Sequence, residues 1–128
     1  MKILITGANG FIGKNLQQKL VEREHEVICF TRNSEIDSLK KYIKDIDFIF
    51  HLAGENRPED ESQFFENNSK FTKNLCDFLK LEEKKVPIIF SSSTQVIAGN
   101  AYGKSKLEAE TYLKNLHDKK GNPVIIYR

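Results

Sequence analysis

Residues 2–13 read KILITGANGFIG, and the way this stretch folds decides the rest of the chain. Lys2–Thr6 is an apolar, β-branched run of strand length that stops at a glycine. Gly7, Gly10 and Gly13 follow at regular intervals, and KNLQQKLVER then carries a helical pattern. The local reading is strand, glycine turn, helix. Gly7 permits the tight turn, Gly10 lets backbone approach a diphosphate, and Gly13 lets helix and strand lie close together. The helix N-terminus adds free N–H donors and a partial positive charge suited to phosphate. Taken alone, three glycines would mean only a turn that needs positive φ angles.

The same alternation continues along the chain. HEVICFT (His25–Thr31) reads as a second strand, and a polar interval containing SLKKYIK leads to DFIFHLAG, whose run Phe48–Leu52 is the third. From Glu59 to Leu81, the spacing of Phe64, Phe65, Phe71, Leu75, Phe78 and Leu79 predicts one long amphipathic helix. VPIIFSSS is the fourth strand, Tyr102–Leu116 another helix, and NPVIIYR the fifth strand, with Gly121, Asn122 and Pro123 marking the last join. Continuous apolar strands alternating with helices indicate an α/β protein with a parallel sheet covered on both faces. Right-handed crossovers favour a doubly wound sheet of five strands in the order 2-1-3-4-5, with ligands at the carboxyl ends of the strands.

Composition narrows the classes. At 128 residues and 39% hydrophobic, the chain suits one domain. Charged residues, 30% of the chain, nearly cancel to +2, and no basic stripe suggests a nucleic-acid surface. No apolar run reaches membrane-spanning length, and the N-terminus enters a strand directly, so a cytoplasmic protein without a membrane partner is expected. Cys29 and Cys76 fall inside apolar patterns and read as buried thiols, with no metal or disulfide framework. His25, His51 and His117 lack metal-ligand spacing, and His51, inside a strand, reads as a packed histidine. Arg128 directly follows an apolar strand, so residues 1–128 are expected to be the N-terminal portion of a longer protein, truncated at the C-terminal end. Apolar surface left uncovered there could drive pairing into a homodimer.

Three further features concern chemistry. Arg32 stands at the end of the second strand, where an acidic residue usually binds the adenosine ribose. A guanidinium suits a 2′-phosphate, which tilts the cofactor from NAD towards NADP. Arg32 also reads as a plain exposed arginine, and Asp37 is an alternative partner for the ribose. A serine cluster, Ser91–Ser93, closes the fourth strand where a site would form. Tyr102 and Lys106 then share one helix face, a turn apart. An ammonium near a phenol favours the phenolate, as proton exchange with a substrate oxygen requires. By itself the pair would be an ordinary tyrosine beside a surface lysine; its weight comes from coinciding with the glycine turn and the serines.

In this order, TGANGFIG, HLAG, SSS and YGKSK resemble the extended short-chain dehydrogenase/reductase family, the NAD-dependent epimerases and dehydratases. The resemblance implies a Rossmann-type domain over residues 1–128 that binds NAD(P) and a nucleotide-sugar substrate. It further implies that Gly7, Gly10, Phe11, Ile12 and Gly13 approach the cofactor, with Arg32 at the adenosine ribose. Leu52, Ala53 and Gly54 match the segment lining the adenosine side. Ser93 resembles the hydrogen-bond donor to the substrate oxygen, Tyr102 the proton-transferring tyrosine, and Lys106 the lysine that binds the nicotinamide ribose. Asn68 is similar to the asparagine that supports that lysine through water, and neighbouring Asn67 competes for the role.

Within the family, HLAGENRPE and SSSTQVIAGNAYGKSKLEAE look like the bifunctional reductases of capsular-polysaccharide synthesis. These join an NADPH-dependent domain to a C-terminal cupin domain and act in UDP-N-acetyl-L-fucosamine synthesis. That resemblance implies reduction of a UDP-linked 4-keto deoxy-sugar. Two departures from the wider family bear on this. Eight residues separate Ser93 from Tyr102, where epimerases and dehydratases commonly carry a longer loop. The interval 33–46 is short for a strand plus a helix, so the family's usual third strand is expected to be missing. Epimerisation or dehydration, and a dinucleotide-binding fragment without catalysis, are the competing readings.

Overall fold

The computed structural model of the chain describes residues 1–55 and 57–128. Five parallel strands form one sheet in the order β2-β1-β3-β4-β5, as expected. They are β1 (Lys2–Thr6), β2 (Glu26–Phe30), β3 (Phe48–His51), β4 (Ile88–Ser91) and β5 (Val124–Tyr127). Register aligns their carboxyl ends: Thr6 faces Phe30 on one side and His51 on the other, His51 faces Phe90, and Ser91 faces Tyr127. β1 is an interior strand between β2 and β3, and its Ile3, Leu4 and Ile5 are buried on both faces, which is why the run is apolar without alternation.

Helices cover both faces. α1 (Phe11–Glu22) packs Leu16 and Leu20 onto Ile3, Ile5, Phe48 and Phe50. On the other face lie α2 (Ile36–Ile43), α4 (Phe71–Leu81) and α5 (Ala101–Lys120). Leu39, Ile43, Leu75, Leu79, Leu113 and Leu116 meet Leu4, Ile49, Ile88 and Phe90 there in the larger core. β1 leads one way to β2, and the chain then returns past β1 to β3. The carboxyl ends of β1 and β3 therefore flank the reversal in strand order, where a doubly wound sheet opens its ligand crevice. The interval before β3 holds α2 and no strand, so the family's extra strand is absent from it, as the spacing predicts.

Some local details differ from the sequence reading. The helix expected from Glu59 begins as a short α3 (Ser62–Phe64), widens into a π-helical stretch (Phe65–Lys70) and continues as α4. α5 runs past Leu116 to Lys120. Asn100 caps its start by accepting from the Gly103 N–H at 2.7 Å, and Gly121, at φ 77°, ends it. Cys76 is buried as expected, whereas Cys29 is only half-buried, because it faces the side of the sheet that α1 alone covers. β5 points Val124 and Ile126 into the larger core and leaves Ile125 and Tyr127 exposed on the opposite side. Among the described residues, no helix is long and apolar enough to cross a membrane.

Candidate functional site

A cleft of about 580 Å³ opens at the reversal point between β1 and β3. Gly7 and Gly10 line it from the first turn, Thr31, Arg32 and Ser34 from the end of β2, and Leu52, Ala53 and Gly54 from the end of β3. Asn67, Lys70, Phe71 and Asn74 close it from the π-helical stretch and α4. Gly7 adopts φ 71°, and a Cβ there would lie 2.7 Å from the Ala53 nitrogen, so the turn and the β3 end touch backbone to backbone. Only glycine meets both demands. Gly10 precedes α1, which has neither a side-chain cap nor an acidic residue in its first turn. Its first N–H donors are left for an anionic ligand, and a diphosphate fits that cradle. Gly13 is buried against the turn. Phe11 and Ile12 extend into solvent, 86% and 57% exposed.

Arg32 lines the cleft and is paired. Its Nη2 donates to Glu55 Oε2 at 2.6 Å, and the Glu55 side chain is only 10% exposed. Glu55 Oε1 accepts from the Arg57 N–H, which fixes the carboxylate. An acidic group thus sits beside Arg32, supplied from the β3 loop instead of β2. Asp37 sits in the first turn of α2, pairs with Lys40 and does not line the cleft.

Gly54 connects this cleft to the tyrosine–lysine helix. A Cβ on Gly54 would come within 2.7 Å of Lys106 Nζ and 3.1 Å of Asn68 Oδ1, so both side chains converge on that one backbone position. Lys106 is 4% exposed, donates to the Ser91 carbonyl at 3.0 Å and lies 5.0 Å over the Phe90 ring. Burial pulls its ammonium down from 10.5 to about 8. Asn68 is buried on the π-helical stretch; its Oδ1 accepts from the Glu55 N–H, and its Nδ2 donates to the Glu55 carbonyl and to Ser105 Oγ. Asn67 is exposed on the cleft rim, so the structure brings Asn68, and not Asn67, to the lysine.

Tyr102 stands in the first turn of α5, half-buried, with its ring 5.5 Å from that of Phe64 and its carbonyl accepting from Ser105 Oγ. Ser93 caps the following 3₁₀ turn (Thr94–Ile97) by accepting from the Gln95 N–H at 3.2 Å. Sequence reading missed a second assembly beside it. Ser92 Oγ donates to Glu110 Oε1 at 2.6 Å, and Arg128 grips both oxygens of Glu110 at 3.0 and 2.7 Å. Burial alone would raise the Glu110 carboxyl; the Arg128 and Ser92 hydrogen bonds hold it below its ordinary value. Glu110 is one turn beyond Lys106 on α5, and that spacing was visible in the sequence.

A family model described as "NAD dependent epimerase/dehydratase family" matches residues 3–128. The UDP-2-acetamido-2,6-beta-L-arabino-hexul-4-ose reductase of Pseudomonas aeruginosa is 46% identical over 129 residues, covering 100% of this chain and 35% of that protein. Among solved structures, the capsular polysaccharide assembling protein CapF from Staphylococcus aureus superposes with a TM-score of 0.85 at 40% identity. The match spans 100% of this chain and 35% of that one. The UDP-glucuronic acid 4-epimerase from Bacillus cereus, solved with NAD, gives a TM-score of 0.87 at 25% identity, over 100% of this chain and 56% of that one. The chain therefore spans about a third of the length of the first two relatives.

Proposed function

The chain belongs to the NAD dependent epimerase/dehydratase family, and we propose that it is the dinucleotide-binding portion of an NADPH-dependent reductase of a 4-keto nucleotide sugar. The observation that carries this reading is the convergence of buried Lys106 and Asn68 on Gly54, at the inner end of a cleft that begins with a capless helix N-terminus. The P. aeruginosa relative reduces a keto-sugar nucleotide by name, and the S. aureus relative belongs to capsular polysaccharide assembly, which supports that substrate class and a role in surface polysaccharide synthesis.

In this reading, Gly7, Gly10, Gly13 and the backbone of Phe11 and Ile12 hold the diphosphate, and Leu52–Gly54 lines the adenosine side. A dinucleotide held there would supply a hydride to the keto carbon. Tyr102 delivers a proton to the developing alkoxide, while Ser93, whose hydroxyl accepts from the Gln95 N–H and keeps its own proton free, donates to the same oxygen. Oriented donors of this kind contribute on the order of 3 kcal/mol each to the transition state. Lys106 holds the nicotinamide ribose, and Asn68 holds Lys106 in place. Arg32 faces the 2′-phosphate, which favours NADP, with Glu55 as the group it must partly leave. The same proposal makes residues 1–128 the N-terminal part of a longer cytoplasmic enzyme.

Tyr102→Phe in the intact protein tests the assignment: reduction of a UDP-linked 4-keto sugar should be lost while NADPH binding, read by fluorescence titration, stays within about threefold. Turnover that survives the change refutes the role of Tyr102. Epimerisation is the second reading, favoured by the likeness to the B. cereus 4-epimerase. Net consumption of NADPH with a keto-sugar supports reduction, and sugar interconversion without consumption supports epimerisation.

A further inference from the structure

Behind the cleft a buried line of polar atoms leads to Asn68, and the proposed chemistry gives its other members, Thr6, His51 and Thr72, no task. Thr6, His51 and Thr72 are fully buried, and Asn68 is 2% exposed. Thr6 Oγ1 accepts from the Ala53 N–H at 3.1 Å, so its own proton goes to His51 Nδ1, 2.7 Å away. On the other side, Thr72 Oγ1 donates to the Asn68 carbonyl at 2.7 Å and therefore accepts from His51 Nε2 at 2.8 Å. Every donor and acceptor along the line is satisfied only if His51 is neutral and carries its hydrogen on Nε2. Burial, and secondarily the Lys106 ammonium, pull His51 down to about 3, which keeps the ring neutral. The ring is also held between Phe90, stacked at 5.1 Å, and Phe71, tilted at 5.6 Å.

The two ends of this line are the two halves of the site. One end is Thr6, which closes β1, and Ala53, which packs against the Gly7 backbone and lines the cleft. The other is Asn68, whose side chain goes on to Ser105 Oγ and through it to the Tyr102 carbonyl. Asn68 lies on the π-helical stretch, where the chain departs from regular α-helical winding. Thr72, four residues on in α4, donates its hydroxyl to the Asn68 carbonyl. A buried neutral imidazole always pairs one nitrogen as donor and the other as acceptor; what is particular to His51 is that its two partners lead to the two halves of the site.

We propose that His51 is a positioning residue: through Thr72 it sets Asn68 against Gly54 and Lys106, and through Thr6 it ties the cleft lining at Ala53 to the same reference. The inference rests on reading Asn68, Lys106 and Tyr102 as parts of the reducing site. It separates two outputs, because each ring nitrogen serves one of them.

Three substitutions in the intact protein exploit that split. His51→Gln keeps an amide near Nε2 and only the Thr72 link, so most of kcat should remain while KM for NADPH rises. His51→Asn keeps an acceptor near Nδ1 and only the Thr6 link, so KM should hold while kcat falls about 100-fold, the loss typical of a misplacement near 1 Å. His51→Phe keeps the ring shape and loses both. Parallel loss of kcat and affinity in Gln and Asn variants, or wild-type kinetics in the Phe variant, overturns the proposal. If none of the three folds, the ¹⁵N spectrum of the unsubstituted protein decides: an Nε2–H signal from pH 6 to 8 supports it, and an Nδ1–H or doubly protonated ring overturns it. Lys106→Met separates the layers. Full turnover in that variant sinks the reading of the site itself, whereas lost turnover there with an unresponsive His51→Phe sinks only the positioning role.

Discussion

Gly54→Ala should remove activity without removing the fold, and the structure says why. The added methyl would stand 2.7 Å from Lys106 Nζ, 3.1 Å from Asn68 Oδ1 and 3.4 Å from Lys106 Cε, where ordinary contact begins near 3.4 Å. Nζ must therefore retreat by about 0.7 Å, and Asn68 Oδ1 by a few tenths of an ångström. Nζ ends a flexible side chain, so the retreat is cheap, and Gly54 has no positive φ to be strained by a side chain. Alanine also removes unfolded-state freedom worth about 0.4–1 kcal/mol in favour of the fold. Net stability should shift by no more than about 1 kcal/mol, a few degrees in Tm for a domain of this size. Catalysis has no such slack. A retreat of 0.7 Å strains the 3.0 Å hydrogen bond to Ser91 and moves the ammonium from the ribose it is proposed to hold. Misplacement of this size costs roughly 10- to 100-fold in kcat. Thermal melts and steady-state NADPH oxidation on the intact variant give both quantities. A kcat within twofold of the parent, with the fold intact, would show that convergence on Gly54 has no bearing on the chemistry.

Charge supplies three more tests. Lys106 releases its proton near 8 when folded and near 10.5 when unfolded, so its buried charge costs the fold up to about 3 kcal/mol below pH 8, relieved as pH rises towards 10.5. Relative to Lys106→Met, the parent should gain stability between pH 7 and 10.5 in urea melts, and a pH-independent difference refutes this. Glu110→Gln should destabilise the fold at pH 7, because Arg128 loses the carboxylate it grips, with the loss reduced by the exposure of the Arg128 side chain. Glu110's contribution is present above its ordinary 4.5 and lost as pH falls through the lower folded value, so parent and variant should converge in acid; equal melts at pH 7 count against the pair. Glu55→Gln frees Arg32 from its 2.6 Å partner and should raise the NADPH-over-NADH affinity ratio about threefold, within the range of a half-exposed pair. A falling ratio would mean that Glu55 orients Arg32 instead of neutralising it.

The sheet was legible because β1 is buried on both faces, which forces the unbroken apolar run Ile3–Ile5, and because the other strands are short apolar runs whose number and crossovers can be counted. The glycine turn was legible for a related reason: close backbone approach at Gly7 tolerates no other residue. Contacts made by side chains across loops were not. Arg32 and Glu55 are 23 positions apart and meet only because β1 lies between the strands that carry them. The signal available was an acidic residue directly after Leu52–Gly54, two strands over from Arg32. The π-helical stretch FENNSK carries no period of its own, so a search for apolar spacing passes through it as ordinary helix.

α5 shows where such a search stops working in principle. Its buried positions are Gly103, Ser105, Lys106, Ala109, Glu110, Leu113 and Leu116. The second half of that face is apolar and reads as a core stripe. In the first half polar and charged groups occupy the face, and apolar periodicity registers them as solvent positions. Burying them is tolerable only because each has a specific partner: Lys106 the Ser91 carbonyl, Ser105 Asn68 and the Tyr102 carbonyl, Glu110 Ser92 and Arg128. Partners of that kind are fixed by three-dimensional placement, so the segment of the helix least readable from hydropathy is the one with the most determined geometry. A buried polar half-face next to a glycine-lined cleft is therefore a stronger pointer to the proposed site than any apolar pattern in this chain.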